Sequence, residues 1–248
     1  MTHTAAMLAI GDEILSGRTQ DSNSNYVARQ LATLGIDLKE IRVVGDDEAE
    51  IVAALNALRA RYDFVFTTGG IGPTHDDITA DAVARAFGVG IGYHPEAYAA
   101  LEARYPKGEF NDARKRMARV PDGATLINNR ASVAPGFQIG NVFVMAGVPM
   151  VMRAMMEEIV MRLPHGVPVQ SIVVSAELPE GVIAEGLAGI QKAYPQTAIG
   201  SYPWYRDGRF GAQLVARSRD PVAVEAAAKA IEAMILQLGA KPERVSSA

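Results

Sequence analysis

Phe64, Val65 and Phe66 form an apolar run that leads directly into Thr67-Thr68-Gly69-Gly70-Ile71-Gly72-Pro73-Thr74-His75-Asp76-Asp77-Ile78-Thr79, and an apolar-periodic stretch from Ala80 to Phe87 leaves it. A buried strand, a glycine turn and a helix in that order make a βα unit, which calls for a parallel neighbour and a sheet covered on both faces. The turn then lies at the carboxyl end of its strand, where open α/β sheets bind ligands. Its glycines let backbone N–H groups converge on an anion without Cβ interference, and the helix start beyond adds a favourable dipole. The same loop carries Asp76 and Asp77, while no Lys or Arg occurs from Thr67 to Asp81. A phosphate among these carboxylates is repelled unless a divalent cation bridges them.

The preceding chain repeats the unit. Ala5 to Ile10 reads as a buried strand closed by Gly11-Asp12, and Asp21-Ser22-Asn23-Ser24-Asn25 offers caps for a helix with its stripe at Val27, Leu31 and Leu34, ended by Gly35. Ile36 to Val44 reads as a strand, Glu48 to Arg61 as a helix with apolar positions Ile51, Leu55 and Leu58, and Asp63 to Thr67 as a strand. Such alternation gives a mostly parallel sheet. Gly88 to Asp122 reads as a polar, mostly helical insertion or lid. Strands follow at Ala124 to Ile127, Gly136 to Ile139 and Asn141 to Met145, the last two joined by a Gly140-Asn141 turn, and then a methionine-rich helix from Met150 to Leu163.

Leu163-Pro164-His165-Gly166-Val167-Pro168 stops that helix and resists strand pairing, which divides the chain into domains 1–166 and 167–248. Beyond it the order is strand Val169 to Ala176, helix Pro179 to Tyr194, strands Thr197 to Tyr202 and Arg209 to Ser218, and helix Pro221 to Leu238. This describes a small α+β domain of β-α-β-β-α order, with Lys241 to Ala248 as a frayed tail.

Composition removes whole classes of function. The absence of cysteine excludes disulfides, thiolate zinc sites and cysteine nucleophiles. A net charge of -4 gives no electrostatic reason to expect nucleic acid as a partner. No apolar run reaches membrane-spanning length and the amino terminus lacks a basic flank before an apolar stretch, so a soluble, cytoplasmic protein with no membrane partner is expected. Walker, H-E-x-x-H and serine-elbow patterns are absent.

Three acidic loops carry the candidate chemistry, each after a predicted strand. Asp77 is placed to bind metal or handle a proton with Asp76 in support; either serves equally to cap the next helix, as does Thr79. Gly45-Asp46-Asp47-Glu48 has the same two readings, a helix cap or a carboxylate at the crevice. The second reading lets Asp46 and Asp77 approach one another and hold a divalent ion suited to attack at phosphorus. In the first loop Asp12 suits a ribose or a pterin amine and Asn23 the edge of a ring, with turn and cap roles as the alternative. Ser132-Val133-Ala134-Pro135-Gly136-Phe137 and Ala146-Gly147-Val148-Pro149 are tight turns whose small residues permit close approach to a ligand or simply form a hairpin and a helix start.

These motifs resemble those of MoaB/Mog-type molybdopterin-binding domain proteins of the CinA-like (competence/damage-inducible protein A) group. The resemblance rests on Ile10-Gly11-Asp12-Glu13-Ile14-Leu15-Ser16-Gly17 with Asp21-Ser22-Asn23, Val44-Gly45-Asp46-Asp47, Thr68 to Thr79, Arg116-Met117-Ala118 with Pro121, and Asn129 with Ala134-Pro135-Gly136-Phe137. Ile199-Gly200-Ser201-Tyr202-Pro203 extends it to the CinA-like half of eukaryotic FAD synthases. It implies a three-layer α/β/α fold with a mostly parallel sheet, self-associated as a dimer or trimer, with a nucleotide- or pterin-sized pocket. Carried over by motif, Asp46 and Asp77 are the catalytic acidic pair, and Asp46, Asp76 and Asp77 the ligands of a divalent ion, Mg, Mn or Co. Substrate contacts are implied for Gly11, Asp12, Asp21 and Asn23, for Thr68, Gly69, Gly70, Gly72 and Pro73, and for Ala134, Pro135, Gly136, Gly147 and Pro149. Relatives divide between adenylylation of molybdopterin and divalent-metal-dependent hydrolysis of ADP-ribose or FAD. The expectation for this chain is a nucleotide pyrophosphatase, the alternatives being a molybdopterin-binding or adenylylating protein of molybdenum cofactor biosynthesis and a non-catalytic nucleotide- or pterin-binding module. At one place the pattern differs: Val151 stands where the family commonly has glutamate.

Overall fold

Residues 2–245 are described by the structure, a computed structural model. The chain divides between Gly166 and Val167 into two compact units. The first begins with β1 (Thr4–Ile10), α1 (Asp12–Leu15), α2 (Asn23–Thr33), β2 (Asp37–Val44), α3 (Glu48–Arg61), β3 (Phe64–Thr68) and α4 (Thr79–Phe87). It continues with β4 (Ile91–Tyr93), α5 (Pro95–Arg104), α6 (Asp112–Arg116), β5 (Arg119–Pro121), β6 (Thr125–Ile127), β7 (Gly136–Ile139), β8 (Val142–Met145) and α7 (Pro149–Val160).

Alternation along β1 decides the layering. Ala6, Leu8 and Ile10 point to one face and pack with Ile51, Leu55 and Leu58 of α3 and Ala82 and Val83 of α4. Ala5 and Met7 point to the other and meet Val27 and Leu31 of α2 and Met152, Met155, Met156 and Ile159 of α7. Helices therefore cover both faces of a six-stranded sheet of order β2-β1-β3-β8-β7-β6, a three-layer α/β/α unit. The pairs β1·β2, β1·β3 and β3·β8 are parallel, while β7 runs antiparallel to β8 and β6. Each fully buried Leu or Phe side chain in these layers contributes about 1.5–3 kcal/mol.

The α4–β6 insertion is less helical than its composition suggests. Two short helices are framed by an antiparallel β4·β5 ladder, with a core of Ala97, Leu101 and Ala118 under Tyr98, Tyr105 and Phe110. Three-residue strands are too short to show a period, and their pairing spans the two ends of the insertion.

The second unit contains β9 (Gln170–Ala176), α8 (Glu180–Ala193), β10 (Ala198–Arg206), β11 (Arg209–Ser218), α9 (Pro221–Gln237) and β12 (Glu243–Val245). Its antiparallel sheet has the order β10-β11-β9-β12, and α8 and α9 bury Ile183, Ala227 and Ile231 against Val174, Leu214 and Ala216. The expected frayed tail is corrected over residues 243–245, which pair with β9; residues 246–248 lie outside the described residues. Arg244 pins this strand by bonding Glu225 and Glu232 of α9, contacts between distant residues that the tail's local composition does not show. Among the described residues no helix is long and apolar enough to cross a membrane.

Candidate functional site

The loops after β1, β2, β3 and β8 meet at the carboxyl ends of the parallel strands. The Gly11 N–H donates to Val44 O at 3.1 Å and the Gly69 N–H to Met145 O at 3.2 Å, tying first to second loop and third to fourth. Gly69 has φ +106°, and a Cβ there would lie 2.1 Å from Ile10 O, so only glycine lets β1 and β3 end side by side. Gly147 fits against Gly69 with its own hypothetical Cβ 3.2 Å from the Gly69 Cα.

Buried Thr79 fastens the glycine loop: its N–H donates to Gly70 O and its hydroxyl to Gly69 O, both at 2.9 Å. The N–H groups of Gly70, Ile71 and Gly72 have no partner in the chain among the described residues, which leaves three donors for an anion. The capping alternative for Asp76, Asp77 and Thr79 falls, because α4 begins with no side-chain cap. Asp77 instead closes the loop on itself. Its Oδ2 accepts from the Thr74 N–H at 2.8 Å and from the Thr74 hydroxyl, and the carboxylate packs where a Cβ of Gly72 would stand. Pro73 and His75 are exposed at the tip.

A loop without bases in sequence is not without bases in space. Arg116, from the end of α6, donates to the Asp77 carbonyl at 3.3 Å, and Arg119 of β5 forms a two-pronged pair with Asp81 at 2.9 and 2.7 Å. Arg119 is neutralised; Arg116 has no carboxylate partner among the described residues and shares a small cleft with Gly72, Asp77 and Pro135. The inference that a phosphate here lacks any basic neighbour is thereby corrected.

Asp46 faces Asp12. Its Oδ2 accepts from the Asp12 N–H at 3.0 Å, while its own N–H donates to Asp12 Oδ1 at 3.4 Å. Gly45 permits this approach, since a Cβ there would lie 2.5 Å from the same oxygen. The helix-cap role falls to Asp47, which accepts from the Glu50 N–H at 2.9 Å, and Asp46 is left to the crevice. Partial burial raises the Asp46 pKa from its ordinary value, the Asp12 N–H opposes this, and the charges of Asp12, Glu13 and Asp76 raise it further. Among the described residues no three His, Cys, Asp or Glu side chains are grouped to hold a metal ion. Asp46, Asp76 and Asp77 thus form no ready three-carboxylate cage, and the pair brought into hydrogen-bonding contact is Asp12 with Asp46.

Asp21 is occupied by the chain itself, accepting from the Asn23 and Ser24 N–H groups at 3.0 Å each and from the Ser24 hydroxyl. Asn23 is 8% exposed, and its side-chain NH2 donates to Gly147 O at 2.7 Å. That bond fixes the orientation of the amide and leaves Oδ1 buried without a partner. Asn23, Thr68, Gly147 and Pro149 line a narrow cleft of about 60 Å³ that also reaches Glu13 and Asp21. This is room for the edge of a ring rather than for a whole dinucleotide.

Two expected contacts have other duties. Gly136 is small because a Cβ would meet Val144 O of the neighbouring strand at 2.4 Å, so its close approach is to the sheet. The Ala134-Pro135 turn is held by Asn129, whose side chain bonds Ala131 N, Ser132 N and Ala134 O at 2.8, 3.2 and 3.0 Å. Val151 is 8% exposed in the α2–α7 core, where a carboxylate would be costly. Glu13 and Arg116 join the site only in the fold: both lie in the family-like motifs Ile10 to Gly17 and Arg116 to Ala118, but only folding shows what they face.

The probable molybdopterin binding domain family matches residues 6–165, and the middle domain of FAD synthase matches residues 168–242. Over 207 residues the chain is 39% identical to a CinA-like protein of Geobacter sp. (strain M21), covering 76% of this chain and 50% of that one. It is 35% identical over 197 residues to a protein of Archaeoglobus fulgidus, covering 79% and 84% respectively. The chain spans about half the length of the CinA-like relatives it matches. A crystal structure of CinA, of unknown function, from Thermoplasma acidophilum superposes with TM-score 0.62 at 30% identity, over 65% of this chain and 98% of that one. The three-layer fold, the four loops at its strand ends and these similarities together place the chain in the molybdopterin-binding-domain family, as a CinA-like member that also carries an FAD-synthase middle domain.

Proposed function

We propose that the crevice at the carboxyl ends of β1, β2 and β3 binds a pyrophosphate-linked nucleotide of the FAD or ADP-ribose class with a divalent ion and hydrolyses its pyrophosphate bond. The observation that carries this reading is the approach of Asp12 to Asp46 at the crevice, each accepting from the other's N–H, with no basic side chain paired to either among the described residues. Such a pair is compensated by solvent or by a cation. Asp12 and Asp46 suit a magnesium-like ion that takes one or two carboxylates and completes its shell with water and substrate phosphates; they do not suit an ion needing an all-protein cage. When bound, the ion would neutralise phosphate oxygens and make a coordinated water more acidic.

The chain's own residues supply the remainder. Free N–H groups of Gly70, Ile71 and Gly72 would hold phosphate oxygens, and Arg116 would balance charge on the outer side of the loop. Asp77, with Oδ2 engaged by Thr74, would keep the glycine loop in shape and present Oδ1 towards the ligand. Asn23 Oδ1 would accept from a ring N–H.

FAD and ADP-ribose turnover measured with and without magnesium, manganese and cobalt tests the proposal; no metal-stimulated release of mononucleotides would refute it. The orphaned Asn23 Oδ1 also favours a second reading, retention or adenylylation of a pterin, whose ring edge offers N–H donors. A pterin carried through purification and detected by fluorescence after oxidation would select that reading.

A further inference from the structure

The second unit contains a hollow unrelated to these loops. With Tyr202 opposite Gln213, Trp204 opposite Gly211, and Ser175 opposite both Gln213 and Glu243, the sheet turns these side chains to the face away from α8 and α9. On that face lies a cavity of about 830 Å³, within the size range of small-molecule sites. One wall is the Leu238–Lys241 turn after α9, and the opposite wall is Trp204.

Trp204 is set in place rather than left on the surface. Its ring occupies the space a Cβ at Gly211 would need, 2.5 Å from Cζ2, and its indole N–H is buried without an acceptor. The charges around it are unequal. Glu177 is paired with Arg209 at 2.9 Å, whereas Arg206 and Lys241, both lining the cavity, have no carboxylate partner among the described residues. With Glu177 matched by Arg209, the unpaired lining charges are these two cations and the carboxylate of Glu243, a small positive excess beside an aromatic wall.

We propose that this hollow is a second binding site, for an anion that carries a flat ring, of the size of a nucleoside monophosphate. The ring stacks against Trp204 and the anionic group lies between Arg206 and Lys241. The proposal stands apart from the reaction at Asp46. Trp204 is the chain's only tryptophan, so its emission reports the site directly. Titration of the full chain with AMP is expected to give a saturable change in emission, with adenosine and inorganic phosphate each at least tenfold weaker. The midpoint is expected to rise at least tenfold in an Arg206→Ala, Lys241→Ala protein and to stay in place in Asp46→Asn. A flat AMP titration, or a midpoint unmoved by the double substitution, overturns the proposal; loss of binding in Asp46→Asn also overturns it, by assigning AMP to the crevice of the first unit.

Discussion

Replacing Gly69 by alanine isolates what the glycine loop requires from its backbone. The new Cβ would stand 2.1 Å from Ile10 O, a backbone atom of a central strand with no freedom to swing aside. The φ of +106° adds conformational strain, worth about 1–3 kcal/mol. The steric term, equivalent to overpacking, adds about 1–3 kcal/mol. A loss of about 2–6 kcal/mol is therefore expected, against a typical total of about 5–15. Gly17 provides the control: it also has positive φ, +73°, but nothing lies within 4 Å of its Cβ position, so Gly17→Ala should cost only about 1–2 kcal/mol. Hydrogen exchange of the β1 and β3 amides, read against urea concentration, measures both. A Gly69→Ala protein as stable as Gly17→Ala would show that the approach to Ile10 is not tight and that the loop tolerates a side chain.

Other substitutions probe the crevice and the second unit. Asp46→Asn keeps an acceptor for the Asp12 N–H but removes charge from an acidic cluster, so it should abolish metal-stimulated turnover while raising stability at neutral pH. Because the Asp46 pKa is raised in the fold, its ionised form is a cost at high pH that fades as pH falls through that pKa. The stability gain in urea unfolding should fade over the same interval, and a gain independent of pH would contradict it. Arg116→Ala should raise KM for a pyrophosphate substrate about tenfold or more, the equivalent of about 1.4 kcal/mol, with little change in unfolding midpoint; an unchanged KM would remove Arg116 from the site. Thr74→Val should remove the hydroxyl bond to Asp77 Oδ2, keep the backbone N–H bond, and modestly increase exchange of the loop amides, while leaving β3 as protected as before. Gly211→Ala, with a Cβ 2.3 Å from Ala176 O and 2.5 Å from the Trp204 ring, should shift tryptophan emission; an unaltered spectrum would mean the ring does not rest there.

Much of this architecture is legible in local sequence. Helix α3 begins and ends where its cap and apolar spacing place it, because Asp47 supplies the cap and Ile51, Leu55 and Leu58 the stripe within one continuous segment. The Gly140-Asn141 hairpin is equally local, with Gly140 at φ +56°. What escaped the sequence depends on residues far apart. Strand order by itself lets Asp46 approach Asp77 across the crevice, but Asp12 bonds it, because β1 is the immediate neighbour of β2 and supplies the adjoining loop. Arg116 reaches the glycine loop only because the β4·β5 ladder folds the insertion back on α4. Ladders such as β9·β12 are invisible to periodicity for the same reason: three residues hold no period, and their partner is a strand some seventy positions away.

The adjacency of β3 and β8 sets when the crevice can exist. Thr68 pairs with Met145, and the wall formed by Gly147 and Pro149 follows at once, so the two sides of the ring cleft are made from chain regions separated by the entire insertion. Closing so long a loop is entropically slow compared with forming the β1–α3 segment, in which Asp12 and Asp46 already lie close in sequence. The acidic pair can therefore assemble in a partly built sheet, while the Asn23–Gly147 contact waits for synthesis to pass residue 150 and for β8 to enter between β3 and β7. A ligand held by both sides would bind only the finished sheet and would lock in that final pairing, making occupancy of the cleft a reporter of folding as well as of chemistry.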